Sequence, residues 1–408
     1  ELLALVVGLL WALRRGRAWP LVFFAASLIG WGYVSARSNA WGDAKALMIV
    51  SPAVIAAAML GPAALWELGR RPEALLVAAA LTFGVLWTNA LAYRGLDLAP
   101  RARLSELDQI GHRFAGQGPT LYTEFEEFGK HFLREDQATG ADESWQDPPH
   151  AIFANGAGTA FGFSSDIDFL APSYVQRFHT LVLRRAGNAA RPPADYRLAY
   201  SGRFYEVWQK TPAPKVLAHL ALGNRVQDAG VPRCSDVRAL TKAGGSQLAY
   251  VERPQLPVLQ PTQAQHPATW VPDPADPTNL IPAGGAGALT GTVRVSRPSR
   301  YTVWVQGSFD RGFAVLVDGR RVGTVQHELN PRGQYAAAGT IALSPGPHTV
   351  TLLRPARRLL YPGDAGRGRQ LGPIVLDPAS DTRTVRRLPL PEWRSLCGRS
   401  LDWIEAIR

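Results

Sequence analysis

Apolar residues run almost unbroken through the first 93 positions and then give way to a mixed, turn-rich pattern. Four runs stand out: Leu2–Leu13, Ala18–Ala36, Ala46–Leu65 and Ala74–Tyr93. A helix needs about 20 apolar residues to cross some 30 Å of hydrocarbon. The last three runs are long enough; the first is short, as for a helix whose beginning lies upstream of Glu1. Pro52 and Pro62 predict kinks in the third. Trp11, Trp19, Trp31, Trp41, Trp66 and Trp87 lie mainly near the ends of these runs, where amphipathic rings favour the headgroup layer. Buried helices of a soluble core would carry polar faces, which these lack. The chain opens without methionine inside an apolar run, with neither a charged leader nor a small-residue cleavage site, so it reads as a segment of a longer protein.

Short loops set the predicted orientation. Arg14, Arg15 and Arg17 separate the first two runs, and Arg70 and Arg71 the last two, which places both loops in the cytoplasm by the positive-inside rule. The loop Ser35–Lys45 and everything after residue 93 then fall outside. Arg94, Arg101 and Arg103 argue the other way, but large domains translocate largely regardless of charge.

Beyond residue 93 the pattern predicts a multi-domain chain: transmembrane helices over 1–93, an extracytoplasmic α/β domain over 94–212, a helix plus Pro/Gly-rich connector over 213–288, and a β-sandwich of galactose-binding, jelly-roll-like type over 289–408. Leu104, Leu107 and Ile110 mark a short helix, and Phe125, Phe128 and Phe132 one face of another over Glu124–Arg134. Tyr196–Tyr200 and Tyr205–Gln209 read as a hairpin. Cys234–Val251 looks helical, interrupted by Gly244–Gly245, and residues 253–288 carry too many prolines for a regular element. After residue 289 the period changes to 2, with Asp318–Gly319 and Ser344–Pro345–Gly346 as turns and Leu401–Ile407 as a closing strand.

Composition changes this picture little. The formal charge of +11 invites a nucleic-acid partner, but the basic residues form no stripe and no reader motif is present, so none is expected. Arginine far outnumbers lysine amid heavy Ala, Gly and Pro usage, a pattern that GC-rich coding explains. Cys234 and Cys397 are the only cysteines. Outside the cytoplasm they can form a disulfide; two buried thiols are the alternative.

No compact catalytic signature emerges. Asp166–Ile167–Asp168 is a D-x-D, which can hold a divalent cation through hard oxygen ligands, but the surrounding nucleotide-binding sheet is missing and an exposed turn is the alternative. The eight histidines show no close ligand spacing, and no G-x-S-x-G, G-x-G-x-x-G or G-K-[ST] loop occurs, so no metal or cofactor is identified. Asn39, Asp43 and Lys45 in the second loop could meet a lipid phosphate or a sugar. Alternation puts Thr302, Trp304 and Gln306 on one sandwich face and Tyr301, Val303 and Val305 on the other. Trp304 with Gln306 could stack on and hydrogen-bond a sugar, and Trp270 and Tyr335 are weaker candidates; core packing is the competing reading.

The order of parts resembles the C-terminal half of actinobacterial GT-C glycosyltransferases, with cell-wall arabinosyltransferases as the analogue. The resemblance lies in Tyr205–Glu206–Val207–Trp208–Gln209–Lys210, in Ala314–Val315–Leu316–Val317–Asp318–Gly319–Arg320–Arg321–Val322–Gly323 and in Gly346–Pro347–His348–Thr349–Val350–Thr351–Leu352. The last two are typical of galactose-binding-like, carbohydrate-binding-module-like sandwiches in general. The resemblance implies a multi-pass cell-membrane enzyme that transfers sugar outside the membrane from a lipid-phosphate-linked donor, with membrane lipids and cell-envelope glycan as partners. It also implies a catalytic acid in a first external loop that this segment does not contain; Asp43 sits in a later loop and does not match it. Any divalent cation would belong to the parent enzyme and has no ligand set here. The alternative is a non-catalytic membrane-anchored envelope protein that binds glycans through its sandwich.

Overall fold

The computed structural model describes residues 2–37, 40–95, 101–124, 128–140, 166–187, 189–222, 230–283, 286–308, 312–325, 334–355, 370–378 and 383–408. They fall into two units, Glu1–Leu96 and Asp97–Arg408.

The first unit is four helices: α1 (Leu2–Arg14), α2 (Ala18–Ser35), α3 (Ala40–Glu67) and α4 (Arg71–Gly95). Ala18–Ser35, Lys45–Glu67 and Arg71–Leu91 are long and apolar enough to cross a membrane, and the stretch Leu3–Arg14 is a shorter apolar helix. α3 is continuous through Pro52 and Pro62. Because it begins at Ala40, Asp43 and Lys45 belong to a helix and not to the expected loop, while Asn39 lies outside the described residues. α1 and α3 each end in the same way. Gly16 and Gly69 take the left-handed conformation that a side chain would oppose. The following Arg17 and Arg70 amides then reach back to the Ala12 and Leu65 carbonyls, closing the last turn. Arg17 pairs with Glu67 at 2.7 Å, so the two arginine-bearing turns sit at the same end of the helices.

Small residues set the α1–α3 contact. Ala4, Gly8 and Ala12 recur every fourth position on α1 against Ala53, Ala57 and Gly61 on α3, a spacing that lets backbones approach closely. A Cβ on Gly8 would stand 2.6 Å from the Ala57 carbonyl oxygen and 2.7 Å from Leu60 Cβ, whereas one on Gly30 meets nothing within 4 Å. Gly8→Leu is therefore expected to destabilise the helical unit by about 1–3 kcal/mol through overpacking. Gly30→Leu should be near neutral. Titration with denaturing detergent, read by circular dichroism, checks the difference.

The second unit opens with α5 (Arg101–Arg113), β1 (Thr120–Tyr122), α6 (Gly129–Phe132), β2 (Ala138–Gly140), α7 (Pro172–Val175), β3 (Thr180–Arg184), β4 (Tyr196–Ser201) and β5 (Tyr205–Lys210). The sheet order is β2-β1-β3-β5-β4, with β1 parallel to β2 and β3 and the remainder antiparallel. α5 buries the expected Leu104, Leu107 and Ile110. The phenylalanine-faced helix is shorter than predicted: only Gly129–Phe132 is helical among the described residues there, Phe125 lies outside them, and Phe128 is exposed.

Next come β6 (Val216–Ala221), α8 (Cys234–Leu240) and β7 (Gln247–Glu252). The single helix expected over Cys234–Val251 stops at Leu240, because Gly244 takes a left-handed φ of 82° and the continuous apolar run Leu248–Val251 of β7 follows, buried on both faces. The sandwich is β8 (Val258–Leu259), β9 (Val271–Asp273), β10 (Asp276–Ile281), β11 (Gly287–Val295), β12 (Ser299–Ser308), β13 (Phe313–Val317), β14 (Arg320–Val325), β15 (Tyr335–Leu343), β16 (Gly346–Arg354) and β17 (Gln370–Pro378). One sheet runs β15-β12-β17-β10-β9 with β8 beside β17, and the other β11-β16-β13-β14. Leu289, Val293, Tyr301, Val303, Val305 and Phe313 are among the side chains of the core between them. Residues 253–288 are thus more than a connector: they supply β8–β10, with Pro272 tolerated on the edge strand β9 and Pro277 at a register shift in β10. Asp318 and Gly319 both have positive φ, as a primed two-residue turn requires.

The chain ends with β18 (Val385–Pro389) and β19 (Leu401–Ile407). The closing strand forms, but outside the sandwich: a fourth sheet runs β18-β7-β19-β6, with all seven residues of β19 buried. Cys234 and Cys397 are disulfide-bonded, with Cα atoms 5.4 Å apart, which pins the start of α8 to the chain just before β19.

Candidate functional site

β19 decides where the charge goes. Because the strand is covered on both faces, Asp402 and Glu405 must find partners inside the protein. They find them in the segment Arg191–Pro192–Pro193–Ala194, where prolines leave few amide donors. The Arg191 N–H donates to Asp402 Oδ2 at 2.7 Å and the Ala194 N–H to Glu405 Oε2 at 2.8 Å. Trp403 Nε1–H donates to the Arg191 carbonyl at 2.7 Å, so this loop of the first sheet is clamped onto the fourth.

His219 on β6 bridges two acids. Its Nδ1 is 2.8 Å from Glu405 Oε1 and its Nε2 3.6 Å from Asp168 Oδ1, with all three side chains buried. Burial alone would lower the imidazole, but the hydrogen bonds and charges of Asp168 and Glu405 outweigh it and push His219 up to about 10. Burial also dominates at Asp168, pushing it up to about 7. The D-x-D is therefore no exposed turn: Asp166 caps its own turn through the Asp168 N–H and also accepts from the Ala190 N–H, each at 3.0 Å. Both carboxylates serve the protein itself, and among the described residues no group of three or more His, Cys, Asp or Glu side chains is placed to hold a metal.

Two concavities flank this hub. The first is a cleft of about 210 Å3, lined by residues that include Arg185, Glu206, Glu252, Arg253, Arg383 and Asp402. Its charges largely satisfy one another: Arg253 pairs with Asp402 at 2.9 Å, Arg383 with Glu206 at 3.3 Å and Arg185 with Glu206 at 3.8 Å. The second is an open groove of about 750 Å3 between β4 and β18, each the edge strand of its sheet. Arg191, Arg197, Arg383 and Arg387 line it with Tyr196 and Trp208, and Glu206 is the one carboxylate among its lining residues. Arg383 and Glu206 border both spaces, so their ion pair separates cleft from groove.

The groove's floor is built by packing. Arg191 is buried, with its guanidinium carbon 4.9 Å from the Trp208 ring centre, and it donates from Nη1 and Nη2 to the Pro192, Pro193 and Tyr196 carbonyls. Its Nε is buried and has no hydrogen-bond partner among the described residues. Burial draws Arg191 down to about 10. Trp208 Nε1–H donates to Glu206 Oε2 at 3.1 Å, which orients that carboxylate beside Arg383.

The sequence-predicted sugar platform is not brought together. The alternation along β12 holds, with Tyr301, Val303 and Val305 in the sandwich core. The opposite face is covered, not open: Trp304 is 4 % exposed and packs on Tyr335, Val375 and Ala186, so close to Gly187 that a Cβ there would stand 2.6 Å from the ring. Trp270 is 2 % exposed and meets Phe313 edge-on in the core. Neither indole, nor the buried Tyr335, offers a ring face for stacking. Gln306 is half-buried, its side-chain oxygen lying over Gly372 near Asn279. Sequence reasoning missed the groove. Its one local signal was the pair of arginines on strands that alternation marks as half-exposed, Arg197 and Arg387.

No protein-family model matches the chain, and no curated protein matches it. Among solved structures it is similar to the GH26–CBM35 β-(1,4)-mannanase of Podospora anserina (13 % identity, TM-score 0.24), covering 31 % of this chain and 28 % of that one. It is also similar to a family 35 carbohydrate-binding module from Clostridium thermocellum (12 % identity, TM-score 0.23), covering 31 % of this chain and 100 % of that one. A third is the module CBM36 solved with calcium and xylotriose (12 % identity, TM-score 0.23), covering 29 % and 98 %. The likeness is one of fold and takes in less than a third of this chain, and little more than a quarter of the mannanase.

Proposed function

We propose that this chain is the membrane-anchored part of a cell-envelope protein that engages glycan, with the second unit outside the cytoplasm and the sugar held in the groove between β4 and β18. The groove carries the reading. Its volume suits one or two sugar rings, and it presents the exposed Arg197, Thr384 and Arg387 on or beside two edge strands. The three helices of spanning length supply the anchor. The order of parts favours the more specific form of the reading: the C-terminal portion of a glycosyltransferase that draws on a lipid-phosphate-linked sugar, with its catalytic acid elsewhere. A glycan-binding anchor without catalysis is the second form.

The test is calorimetric titration of the full chain in detergent with cell-wall oligosaccharides. Saturable binding in about the micromolar to millimolar range is expected, weakened by Arg197→Ala. Absence of heat with every oligosaccharide removes the glycan reading. A tag at Arg408 that can be labelled only from inside the cell removes the extracytoplasmic placement.

A further inference from the structure

Cleft and groove differ in one respect that bears on what the groove takes. In the cleft each arginine has a carboxylate partner. In the groove four arginines face one glutamate, and that glutamate is already held by Arg383, Arg185 and the Trp208 indole. Arg197 and Arg387 are exposed and form no ion pair among the described residues. Beneath them Arg191 is buried, with Nη1 and Nη2 committed to the Pro192, Pro193 and Tyr196 carbonyls, which leaves Arg197 and Arg387 as the guanidinium groups open to the groove. Guanidinium groups converging from two strands match the oxygens of a phosphoryl or carboxylate group through paired N–H donors. A neutral sugar would leave the exposed Arg197 and Arg387 guanidinium groups without an anionic partner.

We infer that the groove between β4 and β18 selects glycans carrying an anionic group, phosphoryl or carboxylate, with Arg197 and Arg387 as the residues that set the preference. This rests on the glycan reading above and narrows it to a substrate class.

The experiment titrates the full chain in detergent, at low and physiological salt, with four probes: a neutral oligosaccharide, an oligouronate of the same length, a sugar monophosphate and inorganic phosphate. The expected result is that one anionic sugar binds at least tenfold more tightly than the neutral one, and that the preference shrinks as salt rises. Which of the two it is distinguishes carboxylate from phosphoryl recognition. The double variant Arg197→Gln with Arg387→Gln, two exposed positions where substitution leaves the fold in place, should lose the preference, its affinity for the anionic sugar falling to that for the neutral one. Neutral and anionic sugars binding equally, or a double variant with its preference intact, overturns the inference and leaves the glycan reading standing. Binding of inorganic phosphate as tightly as either sugar upholds an anion site and overturns the glycan reading. Silence with all four probes overturns both.

Discussion

His219→Ala is expected to lower the unfolding free energy of the second unit by about 3–5 kcal/mol, because it leaves Asp168 and Glu405 buried without the cation between them. The effect should depend on pH in a definite direction. His219 is raised from an unfolded value near 6.5 to about 10, so its contribution is fully present below about pH 6.5 and is lost as the pH climbs through 10. Asp168 is raised from about 3.8 to about 7, so the fold prefers its protonated form and that contribution fades as the pH rises through 7. Both groups make the unit less stable toward alkaline pH. Urea unfolding of the full chain in detergent, followed by tryptophan fluorescence at pH 7 and pH 10, gives the comparison. A steep alkaline loss in the wild type that is much reduced in His219→Ala is the expected pattern. Equal losses in the two proteins would show that the imidazolium does not hold the acids together.

Removing the disulfide is the second large perturbation. Cys234 and Cys397 are 163 residues apart, and closing so long a loop stabilises by about 5 kcal/mol under the chain-entropy model. The double variant Cys234→Ser with Cys397→Ser should lose stability on that scale, and reductant should lower the wild-type unfolding midpoint but not that of the variant. Mass spectrometry after alkylation without reductant reads the bond itself: two labelled thiols would refute it. The helix it anchors keeps other contacts, since Val237 and Leu240 pack with Leu396 and Ile404. Loss of the bond should therefore loosen the fourth sheet before it unfolds it.

The parts legible in the sequence are those whose signal is local. Apolar runs betray helices of spanning length because length and hydropathy are read residue by residue, and the alternation of Tyr301, Val303 and Val305 gives the inward face of β12. The hairpin Tyr196–Ser201 with Tyr205–Lys210 declared itself through its turn. What could not be read is assembly. The fourth sheet draws strands from 216–221, 247–252, 385–389 and 401–407, and no periodicity joins segments so far apart. Helix-forming residues around Leu240 hid the strand beginning at Gln247, since propensity yields to pairing with β18 and β19. Trp304 looked like a sugar platform because its face of β12 has polar neighbours; only the docking of Ala186 and Gly187 shows it to be covered. Asp168, His219 and Glu405 follow no spacing rule, so their convergence is visible only in three dimensions.

Placing β19 between β7 and β6 has a consequence for biogenesis. β6 and β7 leave the ribosome before the sandwich, and the strand that belongs between them leaves after it. Until then they are two unsatisfied edges on the growing polypeptide, with Cys234 awaiting its mate. Chaperone holding until β19 emerges would protect this interval, and formation of the Cys234–Cys397 bond would mark its end.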